Sequence, residues 1–202
     1  MLTAAEAAAP APAAPPSGQR NPAWAVAVQA DGLSNFHKVA DGIYRCAQPG
    51  AAGFRSAEKL GIKTVINLRA MHDDADEAKG TALRLLSIPI NTWEIRDEDV
   101  VRVMKILAQK ENGPFLIHCQ HGADRTGLMC AMYRILVQGW SREKALDEMQ
   151  NGGYGFHSIW QNIVKYVGKA DVEAMKKAVT APTSASSAST PPPPPAVLPK
   201  AA

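Results

Sequence analysis

Nowhere among the 202 residues does an apolar run approach the roughly eighteen residues needed to cross a bilayer, so no membrane insertion is expected. Cysteine is also scarce. Cys46, Cys119 and Cys130 make an odd and small set, which argues against a disulfide framework and fits thiols kept free. A large excess of charge of one sign is missing too. The formal net charge is only +3 and the basic residues form no stripe, so nucleic acid is not an expected partner. Oligomeric state leaves no mark.

The two ends lack nearly everything a core needs. Residues 1–22 are mostly Ala and Pro, and residues 180–202 are Ser, Ala and Pro with a run of five prolines. Both are expected to be disordered, since neither can bury enough apolar surface to offset its ordering entropy. Lys200 is the one charge in the tail, so the tail is no polybasic anchor. Residues 1–22 also lack the basic start and unbroken apolar stretch of a signal peptide. That leaves a cytoplasmic location, or an exported one if a signal has been removed.

Residues 23–179 read as one α/β domain. Short β-rich runs at 43–47, 64–68, 86–90 and 115–119 alternate with helical patterns. A helix is expected at 54–60, stopped by Gly61, and a weaker one at 76–86, interrupted by Gly80. Another is expected after Asp97 as N-cap, with Val100, Val103, Met104 and Leu107 on one face. A long helix should follow from Thr126, then one capped by Ser141, then a last one carrying Ile159, Ile163, Val164 and Tyr166. Such alternation predicts a central, mostly parallel sheet of four to five strands flanked by helices. Ligands in such sheets bind beyond the carboxyl ends of the strands.

One such end carries HCQHGADRTG, residues 118–127. A tight turn from strand into helix can point successive backbone N–H groups inward, making an anion nest that the helix N-terminus strengthens. Gly122 permits a backbone shape that a side chain would hinder. A cysteine at the floor of that nest, Cys119, is favoured as a nucleophilic thiolate. Arg125 offers a planar fork to two phosphate oxygens. Thr126 is placed to donate to the sulfur, and His118 to order the loop from behind. The residues from Gln120 through His121, Gly122, Ala123, Asp124 and Arg125 to Thr126 are the candidate phosphate-binding set. This chemistry requires no metal or cofactor, because main-chain amides and Arg125 stabilise the charge. His118, Cys119 and His121 are too close in sequence to converge on one ion, so no metal site is expected.

The segment resembles the HC-x5-R-[ST] signature of cysteine-dependent protein tyrosine phosphatases. With YRCAQP at 44–49, GIKTVINLR at 61–69 and the helix after the loop, it is similar to the small bacterial and fungal dual-specificity phosphatases. The resemblance spans about residues 35–168. It implies hydrolysis of phosphotyrosine, with phosphoserine and phosphothreonine as further substrates, through a phosphocysteine on Cys119. It also implies an acid in an upstream loop, here INTWEIRDED. Glu94 is the first candidate for that acid. Asp124 and Asp97 are the others, although a carboxylate at a helix start is favoured in its charged form and suits an acid poorly.

Export to the periplasm is implied only if a signal has been removed. Cys46 stands where the family's pattern suggests Ser. It reads as a buried small residue, with a reversible disulfide to Cys119 as the alternative. Arg45 and Gln48 are expected to line the pocket or sit as polar groups at a sheet edge. The DDADE run at 73–77 is expected to be a solvated helix start. Two other activities remain in view: a rhodanese-like sulfurtransferase, whose loop is typically shorter, and a phosphatase acting on phosphoinositide or inositol phosphate, whose loop is typically more basic.

Overall fold

The computed structural model describes residues 20–181; the expectations for both low-complexity ends fall almost wholly outside them. Its strands are β1 (Val26–Ala27), β2 (His37–Ala40), β3 (Ile43–Cys46), β4 (Thr64–Asn67), β5 (Arg84–Ser87) and β6 (Phe115–His118). Its helices are α1 (Ala51–Lys59), α2 (Asp97–Ala108), α3 (Asp124–Leu136), α4 (Arg142–Asn151), α5 (Gln161–Lys169) and α6 (Val172–Thr180).

The strands form one sheet in the order β1-β2-β3-β6-β4-β5. From β3 to β5 every pairing is parallel, while β1, β2 and β3 pair antiparallel. The expected α/β class therefore holds, with a sheet larger than expected. β1 and β2 add an antiparallel edge that no strong alternation in the sequence announces.

β4 and β6 are buried at every position, as their unbroken apolar character requires between two covered faces. Adjacent residues serve opposite faces. Val65 and Leu116 join Phe54 and Ala57 of α1 on one side. Ile66 and Ile117 join α2, α3 and the later helices on the other. α3 is buried around most of its circumference, which is why its sequence is apolar with little polar face. It carries Arg134, whose Nε lies 2.6 Å from Glu148 Oε2 and whose Nη2 lies 2.8 Å from Oε1, an ion pair buried between α3 and α4.

Several local expectations need correction. Residues 75–80 make turns and 81–83 run without regular structure, rather than forming a helix. Gly80 sits at φ +85°, which breaks helical geometry, and the residues from Arg84 are recruited to pair with β4. Asp97 is the first residue of α2 rather than its cap; Arg96 holds the cap position, and the Asp97 carboxylate accepts a 2.8 Å bond from the Tyr166 hydroxyl. Ile159 lies ahead of α5 and is 78% exposed. α6, capped by Asp171 through the amide of Ala174, was not expected at all. Its apolar face packs on the main core through Met175 and Val179.

Candidate active site

The carboxyl ends of β3, β6 and β4 lie side by side, with Cys46 opposite His118 and His118 opposite Asn67. β6 delivers His118, the chain turns through residues 119–123, and α3 begins at Asp124. Cys119 is thus held at the base of a loop, 2% exposed.

The loop's carbonyls explain its shape. Gln120 O accepts from the amide of Gln48 at 3.1 Å, His121 O from Asn35 Nδ2 at 3.0 Å, and Gly122 O from Arg45 Nη2 at 2.6 Å. Three consecutive carbonyls are therefore pulled outward by donors from three other places in the chain. The amides from Gln120 through Thr126 have no backbone acceptor among the described residues. A backbone whose carbonyls are all turned one way presents its N–H groups the other way, which is the geometry of an anion nest. Gly122 makes the turn possible: it sits at φ +67°, and a Cβ there would come within 2.5 Å of Cys46 O.

Arg45 accordingly neither lines the pocket nor sits at an edge. It is 1% exposed, donates to Gly122 O and lies 3.8 Å over the ring of Tyr154. Tyr154 also accepts a 3.0 Å bond from Arg20 Nη2. His118 is fully buried and its Nε2 lies 2.9 Å from Asp74 Oδ2. Asp74 is only 4% exposed, so the DDADE run is not simply a solvated face. Its carboxylate also accepts from Gln48 Nε2 at 2.9 Å and Asn67 Nδ2 at 3.1 Å. Burial pushes its pKa up, but the His118 bond and charge and the Gln48 bond outweigh this and hold it below the ordinary value.

Two polar atoms of the loop, Arg125 Nε and Thr126 Oγ1, are buried with no partner among the described residues. The expected bond from Thr126 to the Cys119 sulfur is not made among the described residues. A buried orphan of this kind costs about 1–3 kcal/mol, a penalty that a phosphate oxygen in the nest would relieve. Arg125 makes one long contact, Nη1 to Leu68 O at 3.5 Å.

Cys46 is free and fully buried beneath the loop. Burial pushes its thiol well above the ordinary value; the nearby Cys119 and Asp74 charges add to this and Arg45 opposes it. Asp124 is buried at the start of α3, where its carboxylate accepts from the backbone amide of His157 at 2.9 Å and faces His157 Nδ1 at 2.8 Å. Glu94 closes an exposed turn with Asn91 and makes no hydrogen bond or ion pair with the loop among the described residues. Beside it, Trp93 is 69% exposed. That turn is anchored by Asn162 Nδ2, which donates to Thr92 O at 2.6 Å. Asn35, Asp74 and His157 escaped sequence reasoning; nothing local marks them.

A central parallel strand that leads into Cys-x5-Arg, a nest of outward-held carbonyls and a helix that carries the arginine in its first turn define a cysteine-dependent phosphatase fold. The comparisons with known proteins agree. The model of the tyrosine phosphatase family matches residues 32–166, and the chain belongs to that family. Among curated proteins, the dual specificity protein phosphatase TpbA of Pseudomonas aeruginosa is 40% identical over 172 residues, covering 84% of this chain and 77% of its own. A crystal structure of TpbA superposes with a TM-score of 0.73 at 38% identity, covering 81% of this chain and all of that one. A second, of a TpbA variant in complex with pTyr, gives 0.72 over 80% of this chain and 98% of that one. More distant is the inositol diphosphatase DSP3 of Arabidopsis thaliana, 28% identical over 160 residues, covering 72% of this chain and 74% of its own.

Proposed function

We propose that this protein hydrolyses phosphotyrosine monoesters in proteins, and phosphoserine and phosphothreonine esters as well, without a metal cofactor. Cys119 attacks phosphorus, the ester oxygen leaves, and water then releases phosphate from the phosphocysteine. The amides of Gln120, His121, Gly122, Ala123, Asp124, Arg125 and Thr126, together with the Arg125 guanidinium, take up the charge on the equatorial oxygens. The observation that carries this reading is the loop itself: its carbonyls are tied outward, its amides have no backbone acceptor, and a buried cysteine lies at its base. The TpbA complex with pTyr supports the substrate class.

Glu94 is our first choice for the acid that protonates the leaving oxygen, with Asp97 the alternative on the same segment. Asp124 is disfavoured because both of its oxygens already face His157. Membership of the tyrosine phosphatase family removes the support for a sulfurtransferase. Inositol phosphates remain the second substrate class, on the strength of the DSP3 likeness.

The test is phosphate release from p-nitrophenyl phosphate, a phosphotyrosyl peptide panel and a set of inositol pyrophosphates. Cys119→Ser should abolish all turnover. Loss of the true acid should lower peptide turnover by about 100-fold or more and p-nitrophenyl phosphate turnover far less, since the nitrophenolate needs little protonation. If Glu94→Gln behaves like wild type and Asp97→Asn shows that split, the acid is Asp97. Inositol turnover exceeding peptide turnover would overturn the protein-substrate assignment.

A further inference from the structure

We propose that His121, Asp124 and His157 form a binding site for a zinc-like transition-metal ion on the outer face of the phosphate loop. Each offers one ligand atom, and the three atoms lie within 4.8 Å of one another. They come from three different places: the loop, the first turn of α3, and the segment between α4 and α5. This is a different set from His118, Cys119 and His121, and it converges only because the fold brings residue 157 back over the loop. His118 is turned away to Asp74.

The donor set is two imidazole nitrogens and one carboxylate oxygen, which leaves a fourth position to water. That is the composition zinc accepts at open sites, and it excludes calcium and magnesium, which prefer oxygen. Tetrahedral ligands at zinc distances stand roughly 3.3 Å apart. The Asp124–His157 separation of 2.8 Å is near that already. The remaining adjustment falls on exposed imidazoles: the His157 side chain is 49% exposed and the His121 ring stands 5.3 Å from it, inclined at 63°. Asp124, by contrast, is held. Its Oδ1 accepts from the His157 amide, which leaves Oδ2 to face the ion. The loop's position is fixed by Asn35 Nδ2 on His121 O.

Binding through Nδ1 needs the Nε2–H tautomer of His157. Where Nδ1–H of the neutral ring donates to Asp124, that proton passes to solvent while Nε2 takes one up, and the freed Nδ1 lone pair and the carboxylate share the metal. The amides at the start of α3 and the Arg125 guanidinium oppose a dication, so micromolar affinity is expected rather than the nanomolar or tighter binding of closed structural sites. An occupying ion would add a direct link between the phosphate loop and the 152–158 segment to the Asn35 bridge and the His157 amide bond already there.

The test uses the untagged full-length chain carrying Cys119→Ser, so that the nucleophile cannot serve as ligand. Zinc is titrated by calorimetry and cobalt(II) by absorption. One saturable equivalent at micromolar affinity is expected, with cobalt d–d bands and no thiolate-to-metal band. His121→Ala and His157→Ala should each weaken binding at least tenfold; both rings are exposed, and circular dichroism checks the fold. Absence of saturable binding would overturn the proposal, as would unchanged affinity in both alanine variants or a thiolate band pointing to another cysteine. None of these readouts depends on turnover, so a failed phosphatase assay and a failed metal titration are distinguishable.

Discussion

Asp74→Asn puts the support beneath Cys119 to a quantitative test. The carboxylate receives three side-chain donors, from His118 at 2.9 Å, Gln48 at 2.9 Å and Asn67 at 3.1 Å. Bonds to a charged acceptor are worth about 1.5–3 kcal/mol each, and stranding a buried partner adds to the loss. Asparagine keeps the shape and one acceptor but sets an amide donor against one of these partners, so a loss of about 2 kcal/mol is expected. Alanine strands all three donors and should lose about 4 kcal/mol. For a domain of this size the asparagine variant should melt about 4–8 °C lower at neutral pH.

The sign of the pH dependence follows from the lowered pKa of Asp74. Its contribution is complete above the ordinary carboxyl range and drains away as pH falls through the folded-state value. Thermal melts followed by circular dichroism from neutral to acid pH should therefore show the wild-type advantage over Asp74→Asn shrinking in acid. Equal melting temperatures at neutral pH, or a gap that does not narrow in acid, would refute the reasoning. Turnover should also fall, because His118 directly precedes Cys119 and Gln48 holds the loop through Gln120 O.

Three further outcomes are expected. Gly122→Ala must hold φ +67° with a Cβ 2.5 Å from Cys46 O, so kcat/KM should drop by about 100-fold or more while far-ultraviolet dichroism stays native. Burial pushes His37 down to about 4, outweighing its bond to the Asn35 carbonyl. Its contribution is complete above the ordinary histidine range and is lost as pH falls toward 4, and denaturant unfolding of His37→Gln should lack that part of the acid slope. Arg134→Met leaves the buried Glu148 carboxylate without its cation, for about 3–5 kcal/mol in urea unfolding, and adding Glu148→Leu should recover only part of it, because the Ala25 amide and the Tyr154 hydroxyl then lose their acceptor.

The sequence by itself determined the alternation of strands and helices, the placement of β3, β4 and β6, and the loop from Cys119 to Thr126. These rest on short-range causes: apolar runs, a capping serine, and residue types five or six apart that a tight turn must bring together. Where local signals conflicted, as between Ala78 and Ser87, the sequence misled. Pairing with β4 outweighed helix propensity there, and pairing depends on a partner strand the local pattern does not contain. The loop's outer support was decided only by tertiary packing. Arg45 reaches Gly122 across 77 positions, Asn35 reaches His121 across 86, and Asp74 reaches His118 across 44. A buried charge and a solvated one look alike in sequence. Which of the five residues in DDADE goes inside depends on the donors waiting there, and those are assembled only when the sheet has formed.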